Sequence, residues 1–149
     1  MLRERSLSPA FAPAAQAAIV NYGSTDGTHD YVTGNHGKGN GTLPAQNLGA
    51  ASGNTVNVTG GAVNLLIAGG RHDVTSGNGS ATASGNQVNI STFTGSPDTS
   101  VYGGYALTRE TGATATADGN TVDITGGQFN GATGGLAASP DESASASGN

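Results

Sequence analysis

The chain has 149 residues, of which 10% are charged, 5% are aromatic and 26 are glycine, and it contains no Cys and no Trp. A net charge of −5 with scattered Lys and Arg excludes a basic nucleic-acid-binding surface, and no apolar run reaches the ~18 residues of a membrane span. So few large aliphatic residues cannot form an ordinary globular core, and an ordered fold therefore requires short units that repeat and stack.

The N-terminal segment predicts an arm that precedes the repeats. Residues 1–5 are basic and residues 15–17 have the small side chains of a signal-peptide cleavage site, but Pro9 and Pro13 interrupt the stretch between them. We expect residues 1–17 to form an extended or partly helical arm, with a degenerate export signal as the alternative. Residues 18–149 would then form the repeats.

The clearest pattern is a Gly-Asn pair that recurs four times, every 29 to 34 residues, with its asparagines at Asn54, Asn86, Asn120 and Asn149. A short segment that alternates β-branched and polar residues follows each of the first three pairs, and this alternation predicts a half-buried strand. We expect these segments to stack and to place six residues in two columns that face the core: Val56, Val88 and Val122 in one, Val58, Ile90 and Ile124 in the other.

Each unit continues with two more segments. One ends in Gly-Gly, as at positions 69–70, 103–104 and 134–135, and the other alternates Ala with Ser or Thr before the next Gly-Asn. A cryptic copy upstream places Val20 and Tyr22 in the same two columns. The sequence therefore predicts an all-β protein, a three-sided β-solenoid of about four coils of 32–36 residues that start near residues 20, 56, 88 and 122. Stacked asparagines at the Gly-Asn pairs would form an amide ladder.

Much of the charge falls in short inserts after the Gly-Gly segments, which we expect to project as loops from one edge of the solenoid. Such loops either present a recognition surface or keep the Ser- and Thr-rich stack in solution. The residues predicted for these edge loops are Arg71, His72, Asp73, Arg109, Glu110, Asp141 and Glu142.

The two ends of the repeat region predict contacts between copies. A solenoid with uncapped ends exposes strand edges that can pair with further strands, and a head-to-tail contact of this kind propagates as a filament. We expect the last unit of one copy to be followed in space by the first strand of the next; an excised fragment of a longer protein is the alternative. The predicted stacking residues are Ile19, Val20, Asn21, Tyr22, Ala144, Ala146, Gly148 and Asn149.

The repeat resembles a known family. The Gly-Asn-x-Val-x-Ile-x-Gly-Gly motif, carried best by residues 119–127, together with residues 101–105 and the Ala/Thr alternation of residues 113–120, is similar to the repeats of bacterial autotransporter-type surface adhesins. The resemblance covers residues 50–149 and implies an adhesive or structural protein outside the cell. The family repeat defines a fold and no active site, so no functional residue carries over.

No catalytic, cofactor or metal site is predicted. The carboxylates Asp98, Asp118 and Asp123 lack an evident pairing for hydrolysis, and the histidines His36 and His72 are expected to be solvated loop residues. Two other residues, Tyr102 and Tyr105, have side chains able to stack on sugars, although Tyr102 would equally serve as core; if Val101 points inward, Tyr102 points outward.

These expectations give an extracellular or bacterial cell-surface protein, structural and adhesive, that polymerises with copies of itself. The alternative is a monomeric fragment of a surface adhesin that binds a host glycan or protein through the edge loops. Neither requires an enzyme, a cofactor, a nucleic acid or a membrane span.

Overall fold

The computed structural model describes residues 16–43, 51–75, 79–140 and 144–149. Within them the chain forms thirteen β-strands and one short 3-10 turn, Ser24–Asp26, with no α-helix. Most of the predicted arm (residues 1–17) and two predicted loop residues, Asp141 and Glu142, lie outside these ranges.

Twelve of the strands stack in three sheets, one for each side of the solenoid. In spatial order, the first sheet contains β1 (Ile19–Tyr22), β4 (Thr55–Val58), β7 (Gln87–Ile90) and β11 (Thr121–Ile124). The second contains β12 (Gly131–Ala138), β9 (Ser100–Thr108), β5 (Ala62–Val74), β2 (Thr28–Thr33) and β3 (Gly37–Gly39). The third contains β13 (Ala144–Ser145), β10 (Ala115–Thr116) and β6 (Ala81–Thr82), and a short strand, β8 (Thr94–Gly95), pairs beside β5.

The predicted fold class is confirmed: parallel strands stack into a β-solenoid of about three turns. On the first sheet the register pairs Val56 with Val88 and Val88 with Val122, directly above one another. Val20 extends this column at the first coil. The second column contains the remaining residues of this face in the same register: Tyr22, Val58, Ile90 and Ile124.

The interior is divided into two apolar parts. Aliphatic and aromatic side chains of the first and second sheets form one cluster, in which Val56, Val58 and Val88 are completely buried; full burial of such a side chain contributes about 1.5–3 kcal/mol. Alanines of the third sheet form the other cluster, including Ala81 and Ala115. Since alanine is small, this wall approaches the rest of the core closely.

A buried row of asparagines runs between the first and third sheets. The Asn54 side-chain amide donates to Asn86 Oδ1 (3.1 Å), Asn86 donates to Asn120 Oδ1 (2.9 Å), and Asn120 donates to Asn149 Oδ1 (3.1 Å). Each Oδ1 also accepts the backbone N–H of the preceding asparagine at 2.8–3.0 Å. The predicted amide ladder is therefore present, and its first rung is the backbone N–H of Ala18, which donates to Asn54 Oδ1.

The Gly-Gly pairs let the second sheet approach this ladder. A Cβ on Gly104 would lie 2.0 Å from the carbonyl oxygen of Ala83 and 2.6 Å from the amide of Asn120, and a Cβ on Gly70 would lie 1.8 Å from the Ala51 carbonyl oxygen. Any side chain at these positions would separate the strand from the ladder. The glycines of each pair thus pack directly against the asparagine of the ladder.

The strands continue past the Gly-Gly pairs, which corrects one prediction. Arg71, His72 and Asp73 were expected in an edge loop, but they belong to β5 and pair in register with residues of β9. Glycine lacks a side chain but keeps its backbone N–H and C=O groups, so the parallel hydrogen bonds continue through Gly69 and Gly70. Arg109 and Glu110 do follow the end of β9, as predicted for a loop.

The two ends of the described solenoid differ. At the first end, β3 folds back antiparallel on β2 and covers it. The covering segment is fixed by an ion pair between Lys38 and Asp26 and by two hydrogen bonds with Asp30, which accepts from the Gly41 N–H and donates its own N–H to Asn40 Oδ1. At the last end, no described strand lies beyond β11, β12 or β13. One end is thus partly capped, and the other presents three strand edges.

Candidate functional sites

The first candidate site is the strand edge of the last coil. Val122 and Ile124 are only half-buried, whereas their column neighbours Val88 and Ile90 are 0% and 2% exposed. The N–H of Thr121 is turned toward the preceding coil, where it bonds to the Asn86 carbonyl. Since parallel pairing alternates direction along a strand, the N–H and C=O groups of Val122 and Ile124 point toward the open side.

An outer ladder of polar side chains crosses the first sheet and ends at this edge. Asn57 Nδ2 donates to Asn21 Oδ1 (2.9 Å), and Asn89 Nδ2 donates to Asn57 Oδ1 (2.8 Å), so each coil donates to the one before it. Asp123 occupies the last position, in register with Asn89, and its carboxylate can only accept hydrogen bonds. A shallow groove of about 440 Å³ runs along this ladder.

The opposite end of the first sheet is β1, whose side chains were predicted to stack against another copy. Ile19 is 72% exposed and Val20 is half-buried, while Asn21 is exposed. Tyr22, by contrast, is 1% exposed and its hydroxyl donates to backbone carbonyls, at 2.7 Å to that of Ala62. Burial of the phenol raises the pKa of Tyr22. Tyr22 is thus core, and the exposed part of β1 is formed by its other residues.

The other predicted stacking residues, Ala144, Ala146, Gly148 and Asn149, are exposed in the last described segment. Ala144 is in register with Ala115 of β10. Asn149 already closes the buried ladder within the chain by accepting from Asn120. Ala144 therefore belongs to the terminal strand of the third sheet, and Asn149 lines the same surface hollow as Val122 and Ile124.

The second candidate site is a cluster on the outer surface of the second sheet, which we name the Arg71 cluster: Arg71, Asp73, Tyr102 and Tyr105. The Arg71 guanidinium donates to Asp73 Oδ2 (2.8 Å), and both side chains are largely buried, with 17% and 11% exposed. The guanidinium also lies over the Tyr105 ring, 5.5 Å from its centroid. The Tyr105 ring meets that of Tyr102 edge-to-face at 5.4 Å.

The two tyrosines belong to the outer surface and not to the core. Val101 is completely buried and points inward, so Tyr102 points outward, which resolves the alternative that the sequence left open. Both rings are partly exposed, and neither hydroxyl has a hydrogen-bond partner among the described residues. Burial of the ring raises the pKa of Tyr105, and the nearby Arg71 charge opposes that rise.

The sequence contains a signal for this cluster. When the units are aligned on their Gly-Gly pairs, Arg71 and Tyr105 take the same position, and the structure pairs them in register. Treating the residues after Gly-Gly as an irregular loop hid this alignment. The alignment also places Leu136 next in the same row.

The histidines depart from the prediction of solvated loop residues. The ring of His36 is partly buried, its Nδ1 atom is shielded from solvent with no partner among the described residues, and burial lowers its pKa. His72 Nδ1 lies 3.0 Å from the backbone nitrogen of Thr82 and accepts its hydrogen bond, which ties β5 to the third sheet. Both histidine side chains are thus held by contacts within the solenoid and are not fully solvated.

Among the described residues, no group of three or more His, Cys, Asp or Glu side chains is placed to hold a metal ion. The same part of the chain contains no helix that is long and apolar enough to cross a membrane. Comparison of the chain with models of protein families, with curated proteins and with solved structures gave no match. The fold and the two sites are therefore the basis for assigning a function.

Proposed function

We propose that the protein is a structural and adhesive β-solenoid that stacks head to tail with copies of itself, outside the cell or on a bacterial surface. The observation that carries the proposal is the polarity of the outer ladder. Asn57 and Asn89 both donate toward the first coil, and the ladder ends in a carboxylate, Asp123. A second copy that stacked on β11 would present a donor to that acceptor.

The donor is Asn21 of the next copy. Within the described part of the chain, Asn21 accepts from Asn57 but no residue accepts from its own Nδ2. In a junction that continues the register of the first sheet, β1 of the next copy lies where a fifth strand would lie. Its Asn21 then donates to Asp123, as Asn57 and Asn89 donate within one copy. Charge-assisted hydrogen bonds of this kind are the stronger ones.

The apolar columns favour the same junction. Continuing the register places Val20 of the next copy on Val122 and its Tyr22 on Ile124. Val122 and Ile124 are the two column residues left half-buried at the last coil, and full burial of each would contribute on the order of 1 kcal/mol. The strand edge would gain backbone hydrogen bonds as well, and an open edge is the usual template for such pairing.

The resemblance to adhesin repeats supports the location and the adhesive role. The rival function is a monomeric adhesin fragment that binds a host partner and does not polymerise. These two functions differ in whether Asn21 of one molecule meets Asp123 of another.

A disulfide can test this contact because the chain contains no Cys. Register partners on adjacent strands lie about 4.8 Å apart, within the Cα separation of about 4.4–6.8 Å that a disulfide spans. The variant N21C/D123C should form a ladder of linked multimers under mild oxidation on a non-reducing gel. Its own two cysteines are three strand spacings apart, about 14 Å, so they cannot close within one chain.

The matched control is N89C/D123C, whose cysteines are in-register neighbours within one chain. This variant should close an internal disulfide and run as a monomer, which shows that cysteines on this face can be bridged. Dimers from D123C alone, with no longer species from N21C/D123C, would show that the last coils meet each other and would refute the head-to-tail junction. Monomers of N21C/D123C would refute assembly through this face.

A further inference from the structure

We propose that the Arg71 cluster is a binding site for a neutral carbohydrate, with a hexopyranose ring packed against the exposed part of the Tyr102 ring and within reach of the Tyr105 hydroxyl. This inference does not depend on assembly, since the cluster lies on the second sheet and the proposed Asn21–Asp123 contact lies on the first. It rests on two properties of the cluster: the partly exposed aromatic rings with their unpartnered hydroxyls, and the charge balance.

The aromatic part is two tyrosines from one strand. The bend at Gly103 and Gly104 carries both rings to the outer surface, where they contact each other at 5.4 Å and remain partly exposed. Tyrosine joins an apolar ring face to a polar hydroxyl. A hexopyranose has the complementary surfaces, with a face of C–H groups and a rim of hydroxyls. The unpartnered hydroxyls of Tyr102 and Tyr105 are available to that rim.

The charge balance indicates that the ligand is neutral. Arg71 is already paired with Asp73, and the pair is largely buried. A buried ion pair is a poor source of stability, because desolvation of the two charges offsets their attraction. Its effect here is to fix the guanidinium over the Tyr105 ring while cancelling its charge. An anionic ligand would have to displace Asp73, and the chain as a whole carries a charge of −5.

Isothermal titration with cellohexaose and maltohexaose as neutral probes, and with polygalacturonate as an anionic probe, tests this inference. The unmodified protein should bind at least one neutral probe with a dissociation constant on the order of 1 mM or tighter and should not bind polygalacturonate. Tyr102→Ala should weaken the binding about tenfold or more. Tyr31→Phe is the matched control, because Tyr31 is buried on β2, and it should bind as the unmodified protein does.

Asp73→Asn supplies a readout that a merely structural role would not produce. The substitution keeps the shape of the side chain but removes its charge, so the Arg71 guanidinium is left uncompensated. The variant should lose affinity for the neutral probe and gain measurable binding of polygalacturonate. Absence of binding of both neutral oligosaccharides would overturn the inference, and so would unchanged affinity in Tyr102→Ala or binding of polygalacturonate by the unmodified protein.

Discussion

Two rows of asparagine run along this solenoid, and they use the same amide chemistry in opposite settings. In the buried row, Asn54, Asn86 and Asn120 are each 1% exposed and bind both the next side chain and the backbone. In the outer row, Asn21 is exposed and Asn57 is half-buried, and the side chains bind one another and the Gln87 side chain. Burial makes the first row essential to the fold, whereas the second row retains free hydrogen-bonding capacity for a partner.

The largest effect should come from separating the second sheet from the buried row. In Gly104→Ala the added Cβ would meet the Ala83 carbonyl oxygen at 2.0 Å and the Asn120 amide at 2.6 Å. The backbone cannot accommodate it, so we expect a loss of more than about 4 kcal/mol of unfolding free energy, measured by urea titration. Gly131→Ala is the control, because its Cβ has nothing within 4 Å. Equal stability of the two variants would contradict the packing described here.

The next effect should come from removing one buried amide. Asn86→Ala takes the acceptor from the backbone and side-chain amides of Asn54, and it takes one side-chain donor from Asn120 Oδ1 and from the Ala51 carbonyl. Several buried groups are left unsatisfied, so we expect a loss of about 3–5 kcal/mol in the free energy of unfolding. Thermal unfolding followed by circular dichroism measures it. A loss below about 1 kcal/mol would show that the ladder is incidental to stability.

The corresponding change in the outer row should be small. Asn57→Ala removes hydrogen bonds to Asn21 and Asn89, but water can replace them at a partly exposed site. We expect a change within about 0.5 kcal/mol in the same unfolding measurement. If Asn57→Ala were as damaging as Asn86→Ala, the contrast between the two rows would be false.

The smallest effect should be a dependence on pH, which separates carboxylates from amides. Asp118 accepts the backbone N–H of Ser147 and the Ser145 hydroxyl, and these bonds, the backbone bond first, lower its pKa below 3.8. A carboxylate with a lowered pKa contributes stability that is present above its unfolded value and lost as the pH falls through the folded value. Stability should therefore decline slightly below about pH 4.

Asp118→Asn should reduce this decline, whereas Asn57→Ala should leave it unchanged because an amide does not titrate. Denaturant titrations at pH 6 and pH 3 give the comparison. If the unfolding free energy of Asp118→Asn depended on pH as that of the unmodified protein does, this carboxylate would not stabilise the last coil.

The coil pattern could be predicted from sequence because each unit repeats its own local signals. Alternation at Val56 and Val58 defines a strand and an inward face, and the recurrence of Gly-Asn aligns one coil with the next. The register follows from these two facts. The buried amide ladder was also predictable, since stacking identical positions brings identical side chains together.

Other features depend on contacts that a single unit does not contain. The covering strand β3 arises from the Gly37–Gly39 segment, which has no counterpart among the described residues of the later coils. The Arg71 cluster joins residues of neighbouring coils, and reading each coil separately placed Arg71 in a loop. Strand β5 continues beyond Gly69 and Gly70 because these residues pack closely on the ladder. The strand propensities of the individual residues do not predict this packing.

The central claim is that the open edge of β11 is completed by β1 of another copy. Amide hydrogen exchange resolved to single residues tests it, because the N–H groups of Val122 and Ile124 point to the open side while that of Thr121 is bonded within the chain. The amides of Val122 and Ile124 should become protected as protein concentration rises, whereas that of Thr121 should be protected throughout. Exchange at Val122 and Ile124 that stays fast at every concentration would contradict it.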